Sequence, residues 1–147
     1  MKASTLLLVA VAVLALAGGA ALVKALPPGT VPDIVQVFSN AIATAEGFFI
    51  NGSRAQRNNN PGNIEAGGQF VVYGSTSDGW AALYHQVYLM FFGGSAIYNP
   101  AMTIAQVAYQ YADGAHDPTG AANWAANVAA AMGVTTDTTL QTLIQGA

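Results

Sequence analysis

A mostly helical α+β domain with one small β-hairpin is predicted by three features of the chain. Apolar residues recur at helical spacing in several stretches between Ile34 and Ile144. Two short β-prone runs flank Gly67-Gly68, a pair suited to a two-residue hairpin turn. The stretches between are rich in Gly, Pro and Asn, which end helices and build turns.

The first segment stands apart from this domain. The chain has 147 residues, and Ala3–Val23 carries no charge, with Lys2 before it and Lys24 after it. As a signal peptide, Lys2 is its basic start, Leu6–Leu16 its apolar core and Ala15-Leu16-Ala17 a small-residue cleavage site. As a retained anchor, the run is long enough to span one bilayer core as a transmembrane helix. Both alternatives stay open for residues 1–25, and both carry the remainder across a membrane. The domain is then either membrane-anchored on the outer side or secreted. Residues 26–31, with Pro27-Pro28-Gly29, form a stiff linker, and 32–147 form one domain.

The domain's elements follow in order. A helix starts near Pro32 or Asp33, because Pro suits a first turn and Asp favours the positive helix end. Ile34, Val35, Phe38, Ala41, Ile42 and Ala45 make its apolar face, and Gly47 allows it to stop. Asn51 to Pro61 is polar and reads as a loop. Asn63–Ala66 and Gln69–Tyr73 form the hairpin. Ser77 and Asp78 start a helix whose stripe is Trp80, Leu83, Tyr84, Val87, Tyr88 and Phe91, closed by Gly93-Gly94. Thr103 caps a helix carrying Ile104, Val107, Ala108 and Tyr111. Asp113 to Thr119 is a loop. Ala121, Trp124, Ala125, Val128 and Met132 form the next stripe, ended by Gly133. Asp137 caps a last short helix with Leu140, Leu143 and Ile144.

Composition excludes several functions. Charged residues are 7% of the chain, against about 25% usually. The net charge of −3 and a basic set limited to Lys2, Lys24, Arg54 and Arg57 argue against a nucleic-acid partner. No cysteine is present, and the two histidines, His85 and His116, are not in ligand spacing. No metal site or cofactor is expected. His85 falls off the main apolar stripe and reads as a surface or packing residue. His116 reads as solvated.

Glu46 carries the strongest chemical signal. It lies four after Ile42 and eight after Phe38, in line with the apolar stripe, and a polar asparagine-rich loop follows it. Burial disfavours the charged form of a carboxyl, so such a group keeps its proton towards neutral pH and can donate it.

Ala45-Glu46-Gly47, Arg57-Asn58-Asn59-Asn60-Pro61-Gly62-Asn63-Ile64 and Gly79-Trp80-Ala81-Ala82-Leu83, in that order, resemble a lysozyme-like family. This family comprises phage and bacterial peptidoglycan-cleaving domains related to lytic transglycosylases. The tail, from Val128 to Met132 through Gly133-Val134-Thr135 to Asp137-Thr138-Thr139-Leu140, is also similar, so the resemblance runs from Pro32 to Leu140. It implies a lysozyme-like fold and cleavage of the β-1,4 bond between N-acetylmuramic acid and N-acetylglucosamine. The family's catalytic acid, the glutamate ending its first helix, matches Glu46. Its Asn-Pro-Gly-Asn loop beside that acid matches Asn60 to Asn63. The partner implied is the peptidoglycan glycan strand, and a phage virion membrane is among the settings it suggests.

Supporting roles follow from side-chain chemistry. The amides of Asn60 and Asn63 can bond sugar hydroxyls and acetamido groups, and Asn63 can orient Glu46. Tyr73, Tyr109, Tyr111 and Trp124 can stack on sugar rings, although Tyr111 and Trp124 also lie on core stripes. Arg57 suits a peptide carboxylate or bracing of the loop, and the asparagines equally suit turn-building. Glu65 is a weaker candidate for a second carboxylate. A different function stays open: a non-catalytic glycan-binding or structural membrane protein of a virion or cell envelope that keeps the same shape.

Overall fold

The first apolar stripe folds into helix α1, Asp33–Ala45, in the computed structural model, which describes residues 31–147. The predicted leader or anchor over 1–25, and all but the last residue of the 26–31 linker, lie outside the described residues. Among the described residues no helix is long and apolar enough to cross a membrane.

Pro32 stands at the N-cap of α1, and its carbonyl accepts from the N–H groups of Val35 and Gln36 at 2.9 and 3.2 Å. Asp33 fills the first turn. Val35, Phe38, Ala41 and Ile42 are buried along one face. The helix stops where Gly47 adopts φ 72°, a left-handed conformation that glycine takes without Cβ strain. The Gly47 N–H then bonds Thr44 and the Phe48 N–H bonds Ala43 at 2.9 Å, the paired bonds of a Schellman stop. This stop makes Glu46 the C-cap of the helix.

The stretch Asn51 to Pro61 is not wholly a loop. Helix α2, Arg54–Arg57, forms within it, capped by the Ser53 hydroxyl, which accepts from the Gln56 N–H at 3.1 Å. Strands β1, Glu65–Ala66, and β2, Gln69–Phe70, pair antiparallel with Glu65 opposite Phe70. Gly67 and Gly68, at φ 60° and 75°, make the predicted two-residue turn. Both strands are shorter than predicted, and at the start of the first Asn63 takes φ 45°, which breaks the extended run.

Helix α3, Thr76–Phe92, starts one residue before Ser77. Its cap is Ser75, whose hydroxyl accepts from the Asp78 N–H. Helix α4, Ile104–Tyr111, carries the predicted Thr103 cap, completed by Gln106 into a capping box. Helix α5, Pro118–Met132, begins inside the stretch predicted as a loop, with Asp117 capping Gly120 and Pro118 in the first turn. Helix α6, Leu140–Gln145, is capped by Thr139 rather than Asp137.

Helix α5 packs on α1 and α4, and α1 packs on α3. Phe38, Ile42, Leu83, Met90, Ile104, Val128 and Leu140 are fully enclosed at the centre. The predicted α3 stripe is rotated: Leu83, Val87 and Phe91 are buried with His85 and Met90, while Trp80, Tyr84 and Tyr88 are only half-buried. The starts of α4 and α6 clasp each other. Ile104 and Ala105 donate to the carbonyls of Thr138 and Thr136, and Leu140 and Gln141 donate to those of Met102 and Pro100. Each helix start thereby finds partners for N–H groups that no helix can satisfy internally.

Candidate active site

At the end of α1 the Glu46 carboxyl meets one donor on each oxygen. Asn63 Nδ2 donates to Oε2 at 2.7 Å, and Trp124 Nε1 donates to Oε1 at 2.8 Å. The α1 stop, the turn before β1 and the middle of α5 therefore converge on one carboxyl. A cleft of about 710 Å³ opens beside it, lined among others by Glu46, Asn63, Glu65, Tyr98, Tyr111 and Trp124.

Each neighbour of Glu46 is itself held. Trp124 is 6% exposed and stacks on Tyr111, with ring centroids 5.0 Å apart and an interplanar angle of 27°. Tyr111 donates its hydroxyl to the Gly62 carbonyl at 2.6 Å. That approach requires glycine, because a Cβ on residue 62 would lie 2.7 Å from the Tyr111 oxygen and 2.8 Å from Leu83 Cδ1. Asn63 accepts a long contact of 3.5 Å from Arg54 Nε on its Oδ1, which leaves Nδ2 for Glu46. Arg54 lies over the Phe70 ring, 3.6 Å from its centroid.

Electrostatically the site favours a protonated acid. Burial raises the Glu46 pKa above its ordinary 4.5. The hydrogen bonds from Asn63 and Trp124 and the Arg54 charge pull it back, and the Glu65 charge raises it further. Burial also pushes the Tyr111 phenol well above 10, with the Glu46 charge adding to it, so Tyr111 stays a neutral donor.

The predicted contact residues divide. Asn63, Tyr111 and Trp124 line the cleft. Asn60 and Tyr73 do not, which corrects their expected sugar contacts. Asn60 is fully buried, and its amide bonds only backbone: Nδ2 donates to Ile64 and Val71, both at 2.9 Å, and Oδ1 accepts from the Ile64 N–H at 2.8 Å. It ties the base of the hairpin together. Tyr73 is 8% exposed and packs with Ala81 and Ala82 in a second small cluster. Asn58 and Asn59 also stitch backbone, the first through its carbonyl to the Tyr73 N–H and the second from its amide to the Tyr73 carbonyl. Arg57 braces its own loop by donating to the Gly52 carbonyl. Tyr109 is half-exposed on α4, outside the cleft lining.

The lining also includes residues with no site role expected from the sequence, among them Arg54, Phe70 and Tyr98. The Ser53-x-x-Gln56 spacing could have placed Arg54 on a short helix. Nothing local in the sequence marks Phe70 or Tyr98. No protein-family model matches the chain, and no match to it was found among curated proteins or solved structures.

Proposed function

We propose that this chain cleaves the glycan strands of peptidoglycan, with Glu46 as general acid and then base. The observation that carries the reading is the Glu46 carboxyl itself: partly buried, raised in pKa, fixed by two donors and open to a cleft. The lysozyme-like resemblance of the Glu46, Asn60–Asn63 and Gly79–Leu83 segments supplies the substrate.

Glycoside cleavage needs a proton on the leaving oxygen and stabilisation of an oxocarbenium-like centre. The protonated Glu46 delivers the proton, and the bond to the anomeric carbon breaks. The substrate's own N-acetyl oxygen or 6-hydroxyl attacks that carbon. Glu46, now a carboxylate, takes a proton from the 6-hydroxyl or from the water that opens the acetyl adduct. Asn63 and Trp124 hold the carboxyl in one orientation through both stages. Glu65 contributes negative charge to the cleft, which adds to the rise in the Glu46 pKa that burial sets and suits a cationic transition state.

Incubation of the full chain with purified peptidoglycan, followed by mass analysis of soluble muropeptides, tests this. Glu46→Gln is expected to lower release about a hundredfold or more. Anhydro ends identify the transglycosylase route and reducing ends the hydrolytic one. Equal release by wild type and Glu46→Gln, or none by either, rejects the catalytic reading. Sedimentation with intact sacculi then tests the non-catalytic glycan-binding alternative.

A further inference from the structure

Tyr98 sits between α3 and α4 in a turn fixed by Ser95, whose hydroxyl accepts from the N–H groups of Ile97 and Tyr98 at 3.1 and 3.0 Å. Its side chain is 9% exposed and belongs to the main hydrophobic core, so the ring cannot swing freely. Yet Tyr98 also lines the Glu46 cleft. Among the described residues Tyr98 hydrogen-bonds through its backbone N–H alone, so its hydroxyl has no partner there. A phenol nine-tenths buried and left unpaired at a cleft is a donor waiting for an acceptor. Burial pushes its pKa up to about 12, which keeps the proton on.

The lining chooses the kind of acceptor. Glu46, Glu65, Asp113 and Asp117 share the cleft, whereas Arg54 is the one lining cation among the described residues and is engaged with Asn63 and Phe70. Such a cleft repels carboxylates and phosphates. Gln86, Gln110, Asn123 and Asn127 add neutral amides, which pair with hydroxyl and acetamido groups.

We infer that the Tyr98 hydroxyl is a substrate-binding donor that engages a neutral carbonyl or hydroxyl oxygen of an N-acetylated glycan in this cleft. This rests on the glycan reading of the site, and it adds a contact that orients the sugar on the same lining as Glu46. The hydroxyl contributes binding, while the ring contributes packing, so the two roles separate in Tyr98→Phe.

The test is calorimetric titration of the full chain with a soluble β-1,4 oligomer of N-acetylglucosamine, run beside the muropeptide assay. Tyr98→Phe is expected to bind about five- to tenfold more weakly, the range of one lost net hydrogen bond. Its thermal transition stays at or above that of wild type. Tyr88→Phe, an aromatic packed against Phe92 outside the cleft, binds as wild type. A measurement without any variant uses tyrosine labelled at Cζ: oligomer addition shifts the Tyr98 resonance and leaves Tyr88 in place. Equal affinity of Tyr98→Phe and wild type, an unmoved Tyr98 resonance, or no oligomer binding at all overturns the inference. Glu46-dependent release with an unaltered Tyr98→Phe sinks this inference alone. A Tyr98-dependent affinity without release keeps it and sinks the enzymatic reading.

Discussion

Asn60 and Asn63 carry the same amide three positions apart, yet one holds the backbone and the other holds the proposed acid. Asn60→Ala is expected to destabilise the fold by about 2–4 kcal/mol, because it strips partners from partly buried backbone groups of Ile64 and Val71. Urea unfolding measures this. Asn63→Ala acts on chemistry instead. Its hydrogen bond lowers the Glu46 pKa, so its removal moves that pKa further up. The alkaline limb of the muropeptide-release profile shifts to higher pH while activity falls through loss of orientation. Glu65→Gln has the opposite sign: the Glu65 charge raises the Glu46 pKa, so its loss moves the same limb to lower pH. A profile that does not move in either variant removes Glu46 as the titrating group. The chemical types around the acid were legible in the sequence, since Glu46, Asn63, Tyr111 and Trp124 were all named there. That Asn63 can orient Glu46 was legible too; that Asn60 turns inward onto the backbone of Ile64 and Val71 was not, because those partners are ordinary backbone groups brought together only by the folded hairpin base.

At the scale of elements, helix stripes and the glycine turn could be read because burial repeats with the period of the backbone. Caps were harder. Ser75 and Ser77, or Asp137 and Thr139, offer similar oxygens two positions apart, and the choice between them depends on tertiary packing. The clasp between α4 and α6 has no local signature at all, since its donors and acceptors are ordinary backbone groups far apart in sequence. Within α1 one residue conflicts with its surroundings. The Ser39 hydroxyl is fully buried with no partner among the described residues. Ser39→Ala removes an unsatisfied oxygen and improves helix propensity, so it is expected to stabilise the chain by about 0.5–1 kcal/mol in urea unfolding. Gly62→Ala is expected to go the other way by about 1–3 kcal/mol, because the added methyl overlaps Tyr111 and Leu83 in a packed site.

For the whole molecule, a chain this poor in charge draws its stability from packing, and its pH dependence comes from a few groups with opposite signs. The ion pair found among the described residues, His116 Nδ1 with Asp113 at 2.8 Å, is exposed on both sides, so salt should matter little. The Asp113 hydrogen bond and charge raise the His116 pKa above 6.5. Its contribution is present below 6.5 and fades as pH rises through the raised value, but exposure keeps it small. His85 is 6% exposed, and its Nδ1 is buried with no partner among the described residues. Burial lowers its pKa below 6.5. Between the lowered value and 6.5 the unfolded chain binds more protons than the folded one, so stability falls as pH drops through that window. Glu46 works against this fall. Its raised pKa means the folded chain holds the extra proton between 4.5 and the raised value, so stability increases as pH falls through that range. The two are separated by variants rather than by the wild-type curve. His85→Leu is expected to gain stability relative to wild type as pH falls below about 6.5, with the gap levelling off below the lowered His85 value. Glu46→Gln is expected to lose stability relative to wild type as pH falls towards 4.5, because wild type gains there and the variant does not. Urea unfolding of the three chains across pH measures both gaps. A constant His85→Leu gap would show that this imidazole accepts its proton in the folded chain as readily as in the unfolded one.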